Sequence, residues 1–128
     1  MNYKLLGNAG VRVSEICLGT MTFGSDTDFG CDYETSKKIF DIYVNKGGNF
    51  IDTANIYTAG NSEMITGDLI RTDRHHFVLA TKYTLFDKKG DPNFSGNSRK
   101  NMMRSVEGSL KRLNTEYIDL FWVHAWDF

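Results

Sequence analysis

The feature that most constrains this chain is an alternation. Four short apolar runs, "ICLGT" (16–20), "NFID" (49–52), "HFVLATK" (76–82) and "YIDLFWVH" (117–124), are separated by three segments whose apolar residues return at helical spacing. A short apolar run bounded by Gly, Asn or Pro reads as a buried strand, and a 3.6-residue period as an amphipathic helix. The first predicted helix takes Asp32 as its N-cap and carries Ile39, Ile42, Tyr43 and Lys46 before Gly47 and Gly48 stop it. The second starts near Asn61 or Ser62 with Ile65, Leu69 and Ile70 on its apolar face. The third runs from about Ser98 to Asn114 with Met103, Val106, Leu110 and Leu113 spaced along one face. Ahead of all this, "YKLLGNAGVRVSEI" (3–16) places two apolar runs around "GNAG", which is hairpin chemistry. Strand and helix repeated in this way mean parallel strands joined by right-handed crossovers. An open doubly wound sheet and part of a (β/α)₈ barrel both satisfy that order.

Composition removes several classes of function. With 15 Lys and Arg against 16 Asp and Glu, the formal net charge is -1, so no long-range field draws the chain toward nucleic acid or an anionic membrane. No apolar stretch approaches the ~18 residues of a membrane span, and the N-terminus has no leader pattern, which predicts a cytoplasmic protein. Cys17 falls in a strand and Cys31 in a Gly-rich loop; their spacing suits neither a zinc site nor a disulfide framework, so both are expected as free thiols. His75 and His76 are adjacent without partner ligands, and no metal site is expected. The charged "SRK" (98–100) and "KR" (111–112) read as solvated helix surface.

Each apolar strand ends on a different polar group: Thr20, Asp52, Lys82 and His124. In parallel α/β folds, the carboxyl ends of the strands build the active site, because side chains from separate strands converge there on a rigid frame. An ammonium at an apolar rim needs a carboxylate to stay charged, which makes Asp52 the expected partner of Lys82. A positive charge beside a phenol stabilises its phenolate, so Lys82 would make Tyr57, five residues beyond Asp52, a general acid. His124 would polarise a carbonyl through its ring N–H. Taken singly, the Asp caps a turn, the Lys is solvated, the His is a satisfied core residue and the Tyr packs. Independent causes of that kind do not require all four on one face. The fifteen-residue loop 83–97, which holds the sole proline, Pro92, is of a length that is usually functional or disordered.

The stretches "CLGTMTFG" (17–24), "FIDTANIYTAGNSE" (50–63), "LATKY" (79–83) and "SLKRLNTEYIDLFWVHAWD" (109–127) together resemble the N-terminal half of the aldo-keto reductase superfamily. That resemblance implies an α/β chain of the (β/α)₈ TIM-barrel family, with residues 1–128 as one domain: an opening hairpin that closes the barrel bottom, four β-strands and three α-helices. A whole barrel takes ~250 residues, so only half of one is expected here. The resemblance also implies reduction of an aldehyde or ketone with NADP(H), Tyr57 donating the proton, Lys82 and Asp52 tuning it and His124 orienting the substrate. It sets Gly19, Thr20, Met21 and Asp52 against the cofactor; Phe23, Phe86 and Trp126 are the aromatics expected around an apolar substrate pocket. Expected partners are a small carbonyl substrate and, through the open half-barrel, another copy of the chain. Potassium channel beta subunits, which resemble the same superfamily and act as cofactor-sensing partners, carry asparagine where this chain has His124; that reading, and an inactive half-barrel, are the alternatives.

Overall fold

A computed structural model describes residues 1–86 and 88–127. The chain opens with an antiparallel hairpin, β1 (Tyr3–Leu5) and β2 (Arg12–Ser14), in which Tyr3 faces Ser14 and Leu5 faces Arg12. Then follow β3 (Leu18–Gly19), α1 (Tyr33–Asn45), β4 (Phe50–Asp52), α2 (Asn61–Ile70), β5 (Val78–Tyr83), α3 (Arg99–Leu113) and β6 (Leu120–Val123). The last four strands form one parallel sheet in the order β3-β4-β5-β6.

That order separates the two folds left open by the sequence. A doubly wound sheet reverses its strand order and carries helices on both faces. Here the order never reverses, and residues of all three helices share one core with the same sheet face. Phe40 and Tyr43 of α1, Ile70 of α2 and Leu113 of α3 pack with Ile51, Leu79 and Phe77. In register, Leu18, Ile51 and Leu79 lie side by side on this outer face, and Gly19, Asp52, Ala80 and Leu120 form the next row. Burying each large apolar side chain contributes about 1.5–3 kcal/mol, which makes the outer face the main source of stability.

The helices begin and end where capping chemistry directs. The Asp32 carboxylate accepts from Thr35 N at 2.8 Å, the Ser98 hydroxyl from Asn101 N at 3.2 Å, and Asn114 ends α3 in the left-handed region at φ 49°. Their buried faces differ from the predicted ones. In α1, Ser36, Phe40 and Tyr43 are buried while Ile39 and Ile42 are exposed. In α3 the buried stripe is Asn101, Ser105, Ser109 and Leu113, with Met103 exposed. Polar partners serve part of the second face, with Asn101 Nδ2 donating to Gly96 O at 2.8 Å. A Cβ on Gly67 of α2 would lie 2.2 Å from Leu113 O, so α2 and the end of α3 meet backbone to backbone there.

The hairpin is fastened beneath the sheet, at the end opposite the carboxyl ends of the strands. Ser14 N donates to Asn49 Oδ1 at 2.7 Å, Asn49 Nδ2 to Arg12 O at 3.1 Å and the Tyr3 hydroxyl to Gly47 O at 2.6 Å. No helix of the described residues is long and apolar enough to cross a membrane.

Candidate active site

Side chains alternate across a strand, so neighbours in sequence serve opposite faces of the sheet. On β4 and β5 this sends Asp52 and Lys82 to the inner face. Lys82 Nζ donates to Asp52 Oδ2 at 2.6 Å, to Thr53 O at 2.8 Å and to the Tyr57 hydroxyl at 3.0 Å. An ammonium has three protons and each has an acceptor, so its position is fixed in all directions.

Tyr57 opens a tight turn in which Thr58, Ala59 and Gly60 stand at φ 45°, 55° and 93°. A non-glycine residue in that region costs on the order of 1–2 kcal/mol and persists where its surroundings over-determine it. Here the Thr58 hydroxyl donates to Phe23 O at 2.6 Å. Gly24 makes this approach feasible, since a Cβ there would lie 2.8 Å from Thr58 Oγ1.

His124 is anchored by its backbone N–H, which donates to Tyr83 O at 2.9 Å. Its ring stands edge-on to Tyr57, with centroids 5.6 Å apart and planes at 87°. Nδ1 is buried and has no hydrogen-bond partner among the described residues. Burial first, and then the Lys82 charge, hold the imidazole below its ordinary pKa against the opposing pull of Asp52. The neutral ring is thereby favoured, with one nitrogen a donor and the other an acceptor.

Asp52, Lys82 and His124 border an open cleft of about 540 Å³ on the inner face, together with Cys17, Gly19, Phe50, Trp122 and Val123. Cys17 is exposed as a residue, yet desolvation of its thiol, followed by repulsion from Asp52, pushes its pKa up to about 12, so it is held as a thiol. Cys31 lies apart from it, with Sγ 3.3 Å from Ser36 Oγ.

The outer face behind this cleft carries a polar layer that the sequence did not disclose. Thr20 and Thr53, which directly follow β3 and β4, and Thr81 within β5 are fully buried. Ser62 Oγ lies 2.9 Å from Thr20 Oγ1 and 3.0 Å from Thr53 Oγ1, and donates to Thr20 O at 2.6 Å. Glu63, also fully buried, accepts from the Thr81 hydroxyl at 2.6 Å through one oxygen and from Arg112 Nε at 2.6 Å through the other. Arg112 is therefore not solvated surface charge, as "KR" suggested; a buried carboxylate requires its charge. The available signal was a threonine next to an inner-facing residue on each strand, with Ser62 and Glu63 following in the first turn of α2.

The remaining predicted residues divide by position. Gly19 is on the cleft and Met21 is half exposed, whereas the Thr20 side chain is enclosed and engaged with Ser62. Phe23 does not border this cleft: its side chain is buried, and its carbonyl accepts from the Thr58 hydroxyl. Phe86 and Trp126 are exposed, at 56% and 78%, and border a separate recess with Thr84 and Ser95. The loop after β5 is tied down by Gly96 N to Thr84 O at 2.8 Å and Asn97 N to Asp127 Oδ2 at 2.6 Å; its Asp87, like Phe128, lies outside the described residues. His75 bonds Tyr117 through Nδ1 at 2.8 Å, and among the described residues there is no metal-ligating cluster.

A one-layer parallel sheet with helices on a single face, and a Lys-Asp-Tyr-His group at the carboxyl ends of its strands, define the class. The family model for the aldo/keto reductase family matches residues 15–128, and the chain belongs to that family. It is 46% identical to the norsolorinic acid reductase of Aspergillus flavus over 97% of this chain and 34% of that protein. It is 42% identical to the aryl-alcohol dehydrogenase [NADP(+)] of Phanerodontia chrysosporium over 98% of this chain and 36% of that one. Among solved structures, the holo form of an aldo-keto reductase from Bacillus halodurans superposes with a TM-score of 0.81 at 31% identity, covering 94% of this chain and 39% of that chain. The chain spans about a third of the length of the curated relatives it matches. Its fold is the N-terminal half of their (β/α)₈ barrel.

Proposed function

We propose that the polypeptide carrying this chain is an NADP(H)-dependent oxidoreductase that reduces aldehydes or ketones to alcohols, with aryl aldehydes as the leading substrate class. The substrate class follows its relatives, which include an aryl-alcohol dehydrogenase [NADP(+)]. The residues present suit a nicotinamide. Gly19 offers the cleft a bare backbone where a Cβ would meet nothing within 4 Å, and the cleft walls are apolar apart from Asp52, Lys82 and His124.

The chemistry a reduced nicotinamide supplies when bound is hydride donation to the carbonyl carbon. Tyr57 gives its hydroxyl proton to the carbonyl oxygen, and solvent later returns a proton to the phenolate. Lys82, 3.0 Å from that oxygen, holds it at the rim and stabilises the negative charge left when the O–H bond breaks. Asp52 keeps the ammonium in place. His124, as a neutral ring, donates a hydrogen bond to the same oxygen as negative charge develops on it.

One observation carries this reading: the three-way anchoring of Lys82 Nζ by Asp52, Thr53 and Tyr57. The test is Tyr57→Phe in the complete polypeptide. Turnover of aryl aldehydes, followed by loss of NADPH absorbance, should fall at least ~10²-fold while NADPH binding is retained. Unchanged turnover would remove Tyr57 from the role of proton donor. Failure of the unmodified protein to oxidise NADPH with any carbonyl would favour a cofactor-sensing subunit instead.

A further inference from the structure

The Glu63–Arg112 pair lies behind the sheet and touches no part of the cleft, yet it meets both halves of the proton-donating pair. Through Oε1, Glu63 holds the hydroxyl of Thr81, the residue before Lys82. Through Oε2 it holds Arg112 Nε, and the Arg112 stem presses on the other half: a Cβ on Gly60 would lie 2.8 Å from Arg112 Cδ. Gly60 closes the left-handed turn that Tyr57 opens. One ion pair thus contacts the strand end that carries Lys82 and the turn that carries Tyr57. Stability is a poor reason for such a pair, because well-packed apolar residues of similar volume commonly do as well or better than a buried ion pair. What it supplies is a fixed distance, and a turn with Thr58 and Ala59 at positive φ needs surroundings that hold it.

We propose that Glu63 and Arg112 are positioning residues, which set the Tyr57–Lys82 contact from the outer face of the sheet. The proposal rests on the reading of Tyr57 as proton donor. The test uses the complete polypeptide with Glu63→Gln, which keeps the shape and removes the charge, Arg112→Met, which keeps most of the stem, and Arg112→Lys as the conservative variant. Two quantities are read besides melting temperature: kcat and KM for an aryl aldehyde, and the ¹³C resonance of the Tyr57 ζ carbon, assigned by its disappearance in Tyr57→Phe. In Glu63→Gln and Arg112→Met, kcat should fall about ten- to a hundredfold, as misplacement of a reacting group does. KM should change little, and the Tyr57 resonance should move toward its position in Lys82→Met. Arg112→Lys should recover part of both changes. A lowered melting temperature with kcat and the resonance unmoved would overturn the proposal and leave the pair purely structural. If the unmodified protein reduces no carbonyl, the functional reading fails on its own, and the resonance still decides whether Glu63 and Arg112 set the position of Tyr57.

Discussion

The two faces of the parallel sheet use the same kinds of side chain for different ends. On the inner face, Lys82 and Asp52 pair at 2.6 Å beside an open cleft, and the ammonium shares its remaining protons with a phenol and a carbonyl. On the outer face, Glu63 and Arg112 pair at the same distance, but the carboxylate is wholly enclosed. The inner pair has a phenol beside it and borders that cleft; the outer pair has no such neighbour and lies outside it. Strand alternation produces the contrast, since Thr81 and Lys82 are adjacent in sequence and belong to opposite faces. A charged pair is therefore informative about chemistry through what else its atoms touch and what can reach them, not through its length.

Substitutions can break or sharpen that contrast. The largest loss of stability should come from the outer face: Leu79 is completely buried in the core shared by all three helices, and Leu79→Ala should lower stability by about 2–5 kcal/mol. Measured by denaturant unfolding, that loss should come with turnover per folded molecule nearly unchanged; a collapse of turnover at low denaturant would mean that the apolar core, and not only the Glu63–Arg112 pair, sets the geometry of the inner face. A smaller effect is expected from the inner face and depends on pH. Burial and Lys82 hold His124 below its ordinary pKa of 6.5. As pH falls past ~6.5, the unfolded chain binds a proton at this residue while the folded protein does not, so stability drops across the window between the two pKa values and levels off below it. Removing the imidazole in His124→Gln should make the midpoint of unfolding less sensitive to pH between about pH 7 and pH 5. Equal slopes for the two proteins would show that the imidazole is not disfavoured as a cation.

Alternation of strands and helices was legible because periodicity and capping are local. Asp32, Ser98 and Asn114 end their helices as short-range chemistry requires. The inner-face group was legible too, since Asp52, Lys82 and His124 each follow an apolar run and so are carried to one end of one sheet. Helix faces were not: α3 buries Asn101, Ser105 and Ser109, and the groups that meet this face, such as Gly96 O for Asn101 Nδ2, come from the surrounding fold and leave no apolar period in α3 itself. Nor was the Glu63–Arg112 pair, whose members stand 49 positions apart. Phe23 read as a pocket aromatic because its burial is tertiary, as is the Thr58 turn that meets its carbonyl, whose left-handed residues no propensity foretells.

The account rests on Tyr57 and Lys82 acting as one unit, and a double-mutant cycle measures that directly. Turnover of an aryl aldehyde by the complete polypeptide is compared among the unmodified protein, Tyr57→Phe, Lys82→Met and the double variant. If the ammonium acts through the phenol it contacts at 3.0 Å, the double variant should be about as slow as the slower single one. Losses that multiply would mean that Lys82 and Tyr57 act independently, and the central claim would be contradicted.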